Sequence, residues 1–201
     1  ETADDLARLH ACCAWVVDPL DGTQEFIRGV DQFAVSVALV VGEQAVLGAI
    51  YNPATGELLS AMQGSQPRLN DRPAPPMSEQ TELAGAHVLV SDTEVRNGMW
   101  SLYQDRLTLE QVGSAACKLA RVAVGRGDAY ISLKPKHEWD ICAGVALVKA
   151  AGGTVTDLQG RPIHFNQADV CVNGVVAAGP VLHPRLLHLL AGGPLAAIEC
   201  R

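Results

Sequence analysis

The spacing of the apolar residues changes once along the chain, on either side of a proline-rich passage. Before that passage, apolar runs of strand length at 33–40, 45–51 and 57–62 follow one another closely and are separated by residues typical of turns. Such short connections join antiparallel neighbours, so this part is predicted to fold as an antiparallel meander. The passage Arg72-Pro73-Ala74-Pro75-Pro76 is expected to interrupt all regular structure, because proline fixes φ and lacks a backbone donor.

Beyond the prolines, strand-like and helix-like segments alternate, which is typical of βα units. We therefore divide the chain into an antiparallel β half, residues 1–80, and an α/β half, residues 81–201, with one site between them. The boundary is placed at residues 72–85. The predicted strands of the second half are 87–91, 108–112, 129–133, 154–158 and 175–178, and the predicted helices are 93–106, 114–124, 139–151 and 183–190.

Apolar content and charge exclude several classes of protein. With 48% hydrophobic residues the chain can build a sizeable core, whereas a net charge of -7 argues against a nucleic-acid polymer as partner. The most apolar stretch, 33–51, is broken by Gly42-Glu43-Gln44, so no membrane span is expected. The six cysteines form no Cys-x-x-Cys pair, which favours a reducing, cytoplasmic location.

The segment Asp18-Pro19-Leu20-Asp21-Gly22-Thr23-Gln24-Glu25 follows a short predicted strand at 14–17 and carries two carboxylates three positions apart. In a proline-stiffened turn these carboxylates and the Leu20 carbonyl can converge, and hard oxygen ligands of this kind suit Mg²⁺. Gly22 allows close backbone approach, and the amides of Gly22 and Thr23 at the start of a short helix would bind an anion. An ordinary turn is the alternative interpretation.

Two further segments place polar residues at predicted helix starts. His137-Glu138-Trp139-Asp140 brings Asp140 into the first turn of a helix, where the helix dipole stabilises a carboxylate. A helix-start acid with no other role is the alternative for Asp140. Val112-Gly113-Ser114 precedes another helix, with Ser114 as its N-cap, and offers a further helix start at which an anion can bind.

The chain resembles the inositol monophosphatase superfamily of metal-dependent, lithium-sensitive phosphatases in three segments, which are in order WVVDPLDGTQEF, VGSAACKLARVAVGRGDAY and EWDICAGVALVKAAGGTVTD. The resemblance extends over about residues 14–165. Within the superfamily, the first segment is most similar to the 3'(2'),5'-bisphosphate nucleotidase branch, called CysQ in bacteria, which serves sulfur metabolism by hydrolysing 3'-phosphoadenosine 5'-phosphate. The resemblance implies an α/β fold, a layered αβαβα sandwich, with the site between its antiparallel and α/β halves.

The resemblance also implies a role for each matching residue. Three aspartates and one carbonyl would hold two or three Mg²⁺ ions, and Thr23 would orient the attacking water. Backbone amides would hold the scissile phosphate, and other residues would face the nucleoside and ribose. The catalytic residues so implied are Asp18, Asp21 and Thr23; the metal ligands are Asp18, Leu20, Asp21 and Asp140; and the substrate-binding residues are Gly22, Thr23, Gly113, Ser114 and Glu138.

The implied reaction is in-line attack of water on phosphorus, with two Mg²⁺ ions about 4 Å apart stabilising the attacking and leaving oxygens. The substrate would be a small phosphate ester, and a homo-oligomer is left open. Lys134, Lys136 and His137 are best placed by sequence to meet a second phosphate, with a solvated loop as the alternative.

Three functional hypotheses follow: the bisphosphate nucleotidase, a phosphatase of the same fold for inositol phosphates or other sugar phosphates, and a catalytically weak fragment that binds metal or a partner. The third arises because members of the superfamily carry helices and a Glu-Glu motif ahead of the first segment. The chain begins at Glu1-Thr2 and is expected to lack them. Glu1 itself is expected to have no role.

Overall fold

Residues 6–192 are the part of the chain that the computed structural model describes, so Glu1 lies outside them. They begin with a short 3₁₀ turn, Leu6–His10. Two larger sheets and five α-helices follow within these residues.

The first sheet is the antiparallel meander predicted for the β half. Its six strands are β1 (Cys13–Asp21), β2 (Ala34–Val41), β3 (Gln44–Asn52), β4 (Glu57–Met62), β5 (Arg68–Leu69) and β6 (Arg72–Pro73). Each strand pairs with the next one along the chain. The expectation that residues 72–76 are irregular is wrong at Arg72 and Pro73, which form β6. The sheet accommodates Pro73 because β6 is an edge strand.

Strand β1 continues through Pro19 to Asp21, whereas the sequence predicted a turn directly after Asp18. Pro19 is tolerated because β1 is the other edge strand and its pairing with β2 shifts register between Asp18 and Asp21. Helix α1 (Thr23–Ile27) begins after Gly22, where a short helix was expected. Both aspartates therefore lie at the end of an edge strand, beside the start of a helix.

The second sheet belongs to the α/β half and mixes parallel and antiparallel pairs. Its strands are β7 (His87–Val90), β8 (Thr108–Gln111), β9 (Ala129–Ser132), β11 (Thr154–Thr156) and β13 (Val175–Ala178), and a separate ladder joins β10 (Lys136–His137) to β12 (Cys171–Val172). Strand β7 pairs in parallel with β8 and β9, while β13 pairs antiparallel with β9 and β11. The predicted alternation of strands and helices thus gives a sheet whose β9, β7 and β8 are parallel on one side, while β13 and β11 add antiparallel strands on the other.

One helix of this half is much shorter than predicted. The pattern over 93–106 predicted one long helix, but α2 spans only Asp92–Arg96, and residues 97–106 form turns. Gly98 follows the helix with a φ of 72°, a left-handed conformation that ends helices. The remaining helices agree with prediction to within a residue or so at each end: α3 (Ala115–Ala123), α4 (Glu138–Ala150) and α5 (Leu182–Ala191).

Helices α3 and α4 lie between the two sheets, and α4 contacts strands of both. Its packing on the meander is close, because a Cβ at Gly48 of β3 would lie 2.3 Å from the Ala143 carbonyl oxygen of α4. One buried cluster joins Ile50 of the β half to Leu119 and Ile141 of the α/β half. On the far side of the second sheet, α5 packs on β13. The layers are therefore sheet, helices, sheet and helix, which agrees with the α/β sandwich implied by the resemblance.

The outer face of the meander carries exposed apolar side chains. Trp15 and Met62 are 63% and 58% exposed. The strand register places Trp15, Leu39, Leu47 and Met62 in one row across four strands. Among residues 6–192, no helix has the length and apolar character needed to cross a membrane.

Candidate active site

Three aspartates from distant parts of the sequence meet between the two sheets. Asp18 and Asp21 come from the end of β1, and Asp140 comes from the first turn of α4. Each offers one carboxylate oxygen, and these oxygens lie within 4.8 Å of one another. This spacing is compatible with shared metal ions.

One oxygen of each carboxylate is oriented by hydrogen bonds, which leaves the other oxygen for a ligand. The Leu20 amide donates to Asp18 Oδ1 at 2.9 Å, and the His137 amide donates to Asp140 Oδ2 at 3.1 Å. Asp21 Oδ2 accepts from the Ser114 hydroxyl at 2.6 Å and from the Ala116 amide at 2.7 Å. The carboxylates are therefore held in place by the backbone and by the start of α3.

Burial, together with the neighbouring negative charge, raises the pKa values of two of these aspartates. Burial raises the pKa of the Asp18 carboxyl, the Leu20 hydrogen bond opposes this change, and the Asp21 charge adds to it. Burial also raises the pKa of Asp140, and the Asp21 charge acts in the same direction. The cluster therefore disfavours ionisation on its own, and a bound cation would relieve it.

The turn after β1 depends on Gly22. Its φ is 90°, and a Cβ there would lie 2.7 Å from the Gln32 carbonyl oxygen, so any other residue would be both strained and crowded. The Thr23 hydroxyl donates to the Leu20 carbonyl at 3.1 Å. This bond fixes the hydroxyl while leaving its oxygen able to accept, which suits the predicted task of orienting a water.

The residues at the start of α3 form the side of the site opposite the turn after β1. Ser114 has a φ of 53°, and its hydroxyl accepts from the Cys117 amide at 2.9 Å, so it is the N-cap that the sequence predicted. Gly113 lies directly against Glu25, because a Cβ there would be 2.2 Å from the Glu25 Cγ. Helix α1 and the residues just before α3 are therefore in direct contact.

A cavity of about 240 Å³ opens between these walls. It contains most of the predicted site residues. Of the three basic residues expected near a second phosphate, Lys136 lines the cavity, whereas Lys134 and His137 do not. The predicted site residues along it are Asp21, Gly22, Thr23, Gly113, Ser114 and Asp140, and the residues that the sequence analysis did not assign to the site include Lys118, Ser91, Asp92 and Thr93.

Lys118 is the additional residue with the most unusual surroundings. It is 4% exposed, and its ammonium group donates to the Val112 carbonyl at 2.8 Å. Burial lowers the pKa of Lys118 to about 8, and the nearby charge of Lys136 acts in the same direction. Its place next to Leu119 in the helix predicted at 114–124 was the signal that could have identified Lys118.

Glu138 has a different environment from the one that the resemblance implied. Its carboxylate is buried and accepts from the backbone amides of Asn166 and Gln167 at 2.8 and 2.9 Å. These bonds tie the loop after Phe165 to the start of α4 and account for the carboxylate without a substrate. We therefore do not include Glu138 among the proposed substrate-binding residues.

Comparison with known proteins shows which family this chain is similar to. A family model described as the inositol monophosphatase family matches residues 2–193. An inositol-1-monophosphatase of Mesorhizobium japonicum is 37% identical over 91% of this chain and 69% of its own length, and a Nus factor SuhB of Pasteurella multocida is 34% identical over 87% of this chain and 66% of its own. The chain thus spans about two thirds of the length of these relatives.

Among solved structures, an inositol monophosphatase from Anabaena (Nostoc) sp. PCC 7120 superposes with a TM-score of 0.81 at 28% identity, covering 92% of this chain and 73% of that protein. The bisphosphate nucleotidase branch is not represented among these relatives, whose names point instead to inositol monophosphatase and SuhB. The match over nearly the whole chain, on the same fold, shows that the chain belongs to the inositol monophosphatase family.

Proposed function

We propose that this protein is a Mg²⁺-dependent phosphomonoester hydrolase whose substrates are inositol phosphates or other sugar phosphates. The observation that carries the proposal is the convergence of Asp18, Asp21 and Asp140. Two of them, Asp21 and Asp140, line a cavity that the start of α3 also borders. The name of the Mesorhizobium japonicum relative, an inositol-1-monophosphatase, supports the substrate class.

The residues present fit Mg²⁺. The cluster offers carboxylate oxygens, the hard ligands that this ion prefers, and Leu20, whose carbonyl was predicted as a further ligand, lies next to Asp21 at the end of β1. When bound, the ion would lower the pKa of a coordinated water and neutralise charge on the phosphoryl group. Asp18 and Asp21 at the end of β1 and Asp140 on α4 are the ligands we propose.

The remaining residues would bind and orient the reactants. The Ser114 hydroxyl and the Ala116 amide both donate to Asp21 Oδ2 and so fix the orientation of this carboxylate. The other oxygen, Oδ1, would then bind the metal ion. The Thr23 hydroxyl oxygen would accept a hydrogen bond from the attacking water, while the hydroxyl itself donates to the Leu20 carbonyl. The backbone at Gly22 and Gly113 borders the cavity without side chains and would allow a phosphate to approach closely.

The second candidate is the bisphosphate nucleotidase. The observation that favours it is the presence of two lysines, Lys118 and Lys136, on the same cavity as the aspartates. Two cations beyond the metal site suit a substrate with a second phosphate, as in 3'-phosphoadenosine 5'-phosphate.

Phosphate release from the purified 201-residue chain tests both candidates. Inositol 1-phosphate and 3'-phosphoadenosine 5'-phosphate are each supplied with Mg²⁺, with EDTA in place of Mg²⁺, and with Mg²⁺ plus Li⁺. We expect Mg²⁺-dependent release that is faster from inositol 1-phosphate and is inhibited by Li⁺. Asp140→Asn serves as the control for contaminating phosphatase, since it should abolish the release. Faster release from the nucleotide would favour the second candidate, and no release from either would refute the proposal.

A further inference from the structure

Glu25 lines the cavity of the candidate active site but has no task in the proposed hydrolysis. It belongs to α1 and lies along the cavity with Asp21 and Asp140. We propose that its carboxylate accepts hydrogen bonds from hydroxyl groups on the alcohol part of the substrate, and so selects sugar and inositol phosphates over simpler phosphate esters. The inference rests on the proposed phosphomonoesterase and adds to it a residue that determines specificity.

The Glu25 carboxylate is left available for a ligand. Within residues 6–192, no hydrogen bond or ion pair joins it to another group. Lys118, the buried cation of the same cavity, donates instead to the Val112 carbonyl. The Glu25 side chain is only partly exposed, and a carboxylate withdrawn from water is best accommodated when donors meet its oxygens. A ligand in the cavity can supply these donors.

Close packing restricts the direction of this side chain. A Cβ at Gly113 would lie 2.2 Å from Glu25 Cγ and 2.9 Å from its Oε1, so the side chain runs directly along the backbone before α3. The Gly113 amide donates to the Gln32 side chain at 2.7 Å, which holds that backbone in place. The Glu25 carbonyl accepts from the Val30 amide at 2.9 Å. The carboxylate is therefore positioned before a substrate arrives, which lowers the entropy cost of binding.

The charges around Glu25 exclude other partners in a phosphate ester. Glu25 does not belong to the three-aspartate cluster, so it does not share the proposed metal ions. The phosphate group is negative and would be repelled by a carboxylate. An ammonium group on the substrate would be repelled by Lys118 and Lys136, which line the same cavity. Hydroxyl groups are neutral donors, and adjacent hydroxyls of a ring can each reach one carboxylate oxygen.

Two esters with the same ring size isolate the contribution of the hydroxyls. Inositol 1-phosphate carries hydroxyls on both carbons next to the ester carbon, whereas cyclohexyl phosphate carries none. The quantity measured is the ratio of kcat/KM for the first ester to kcat/KM for the second, with Mg²⁺ present. A variant that folds poorly or binds Mg²⁺ weakly changes both constants together, so the ratio reports on recognition of the hydroxyls.

Removing the carboxylate should lower this ratio. We expect Glu25→Ala to lower it about tenfold or more, because the hydroxyls lose a charged acceptor. Glu25→Gln keeps one acceptor oxygen and should fall between Glu25→Ala and wild type. Asp92→Asn is the matched control, since Asp92 lines the same cavity but is already paired with Arg96 at 2.9 Å. This control should leave the ratio unchanged.

Gly113→Ala tests the position of Glu25 without changing its charge. The φ of Gly113 lies outside the left-handed region, so alanine introduces crowding against Glu25 Cγ rather than backbone strain. It should lower the ratio in the otherwise wild-type protein, because the Glu25 side chain must move away. In the Glu25→Ala background, which has no Cγ at this position, it should lower the ratio little further.

Calorimetry gives a readout that does not depend on turnover. With Ca²⁺ in place of Mg²⁺ to suppress hydrolysis, inositol 1-phosphate should bind Glu25→Ala about tenfold more weakly than wild type. Inorganic phosphate has no alcohol part. It should bind Glu25→Ala as tightly as wild type or more tightly, because the variant removes a negative charge from the cavity.

An unchanged ratio in Glu25→Ala, or equal weakening of inositol 1-phosphate and inorganic phosphate, would overturn the hydroxyl contact. A rise in the Mg²⁺ concentration needed for half of the full rate would assign Glu25 to the metal site and would overturn it too. Equal effects of Gly113→Ala in both backgrounds would overturn the packing argument. Hydrolysis of both esters without a preference for inositol 1-phosphate refutes only this inference. Absence of Mg²⁺-dependent hydrolysis of either ester refutes the proposed function as well.

Discussion

The Ser114 hydroxyl donates a hydrogen bond of 2.6 Å to the Asp21 carboxylate across a separation of 93 positions in the sequence. The same hydroxyl accepts from the Cys117 amide and so caps α3. One side chain therefore links the start of a helix in the α/β half to a proposed metal ligand in the β half. Local helix stability and the geometry of the site are coupled at this residue.

Replacing Ser114 should weaken both the cap and the metal site. Ser114→Ala is expected to lower the free energy of unfolding by about 1–2 kcal/mol, since both hydroxyl bonds are lost. Ser114→Gly should cost less, because glycine adopts the positive φ without strain, yet it also loses the bond to Asp21. Both variants should bind Mg²⁺ more weakly by calorimetric titration. Wild-type affinity in both would show that the bond does not orient Asp21.

Asp140→Asn should remove metal binding without damaging the fold. The side-chain carbonyl of asparagine can still accept from the His137 amide, and the change removes a negative charge that burial disfavours. We expect the melting temperature of metal-free protein to be unchanged or higher, and its increase on adding Mg²⁺ to disappear. The exposed Asp105→Asn is the control and should keep the Mg²⁺ effect. A collapsed melting temperature in EDTA would instead give Asp140 a structural role.

Stabilisation by Mg²⁺ should decrease as the solution becomes acidic. The pKa values of Asp18 and Asp140 are raised, so the metal-free folded protein binds protons more tightly than the unfolded chain and gains stability as pH falls through the raised pKa values. Mg²⁺ competes with these protons. Melting temperatures with Mg²⁺ and with EDTA, recorded between pH 7.5 and 5, should therefore converge, and a constant difference would contradict the assignment.

Lys118 should make stability depend on pH in the alkaline range. Its pKa falls from the ordinary lysine value of 10.5 to about 8 in the folded protein, so between these values the unfolded chain binds the proton and the folded one does not. The free energy of unfolding should then rise with pH in that window, on the order of 2 kcal/mol relative to Lys118→Met. Urea unfolding of both proteins in EDTA at pH 7 and 9.5 measures this difference. Parallel pH profiles would show that Lys118 does not titrate there.

Gly22 and Gly29 offer a matched pair for testing the turn after β1. Both have positive φ, but a Cβ at Gly22 would meet the Gln32 carbonyl at 2.7 Å, whereas Gly29 faces open space. Gly29→Ala should cost about 1 kcal/mol from strain alone. Gly22→Ala should cost clearly more and should also weaken Mg²⁺ binding, because Asp21 adjoins the displaced turn. Equal melting temperatures would show that the turn relaxes around the added methyl group.

The exposed apolar row on the meander predicts self-association. Trp15, Leu39, Leu47 and Met62 form a continuous stripe across four strands, larger than isolated surface residues usually provide. Sedimentation of the 201-residue chain should show species heavier than 21.2 kDa. The double variant Trp15→Lys/Met62→Lys should shift the sedimentation distribution toward the monomer. Leu102→Lys, at another exposed apolar residue, is the control and should leave the distribution unchanged. A monomeric wild-type chain would contradict this prediction.

The sequence by itself determined the type of both halves and the order of their longer strands and of helices α3, α4 and α5. Alternating apolar runs with short turns specify an antiparallel meander because side chains in a strand alternate between faces, and the strand Glu57–Met62 was predicted to the residue. The N-cap at Ser114 was readable because a polar side chain that satisfies free amides must stand directly before the helix. The motif around Asp18 and Asp21 likewise identified the proposed ligands, since their chemistry is local.

Tertiary structure alone decided where local patterns were overridden and where distant residues met. Pro19 lies in a strand because an edge position and a register shift tolerate a residue without a donor. Glu138 turned out to hold a loop, because its partners, Asn166 and Gln167, are 28 and 29 positions away. The places of Lys118 and Glu25 also follow from packing, of α3 on β9 and of α1 on the residues before α3. Propensity and periodicity act over a few neighbouring residues, whereas the burial and charge that give these side chains their roles arise only when distant segments pack together.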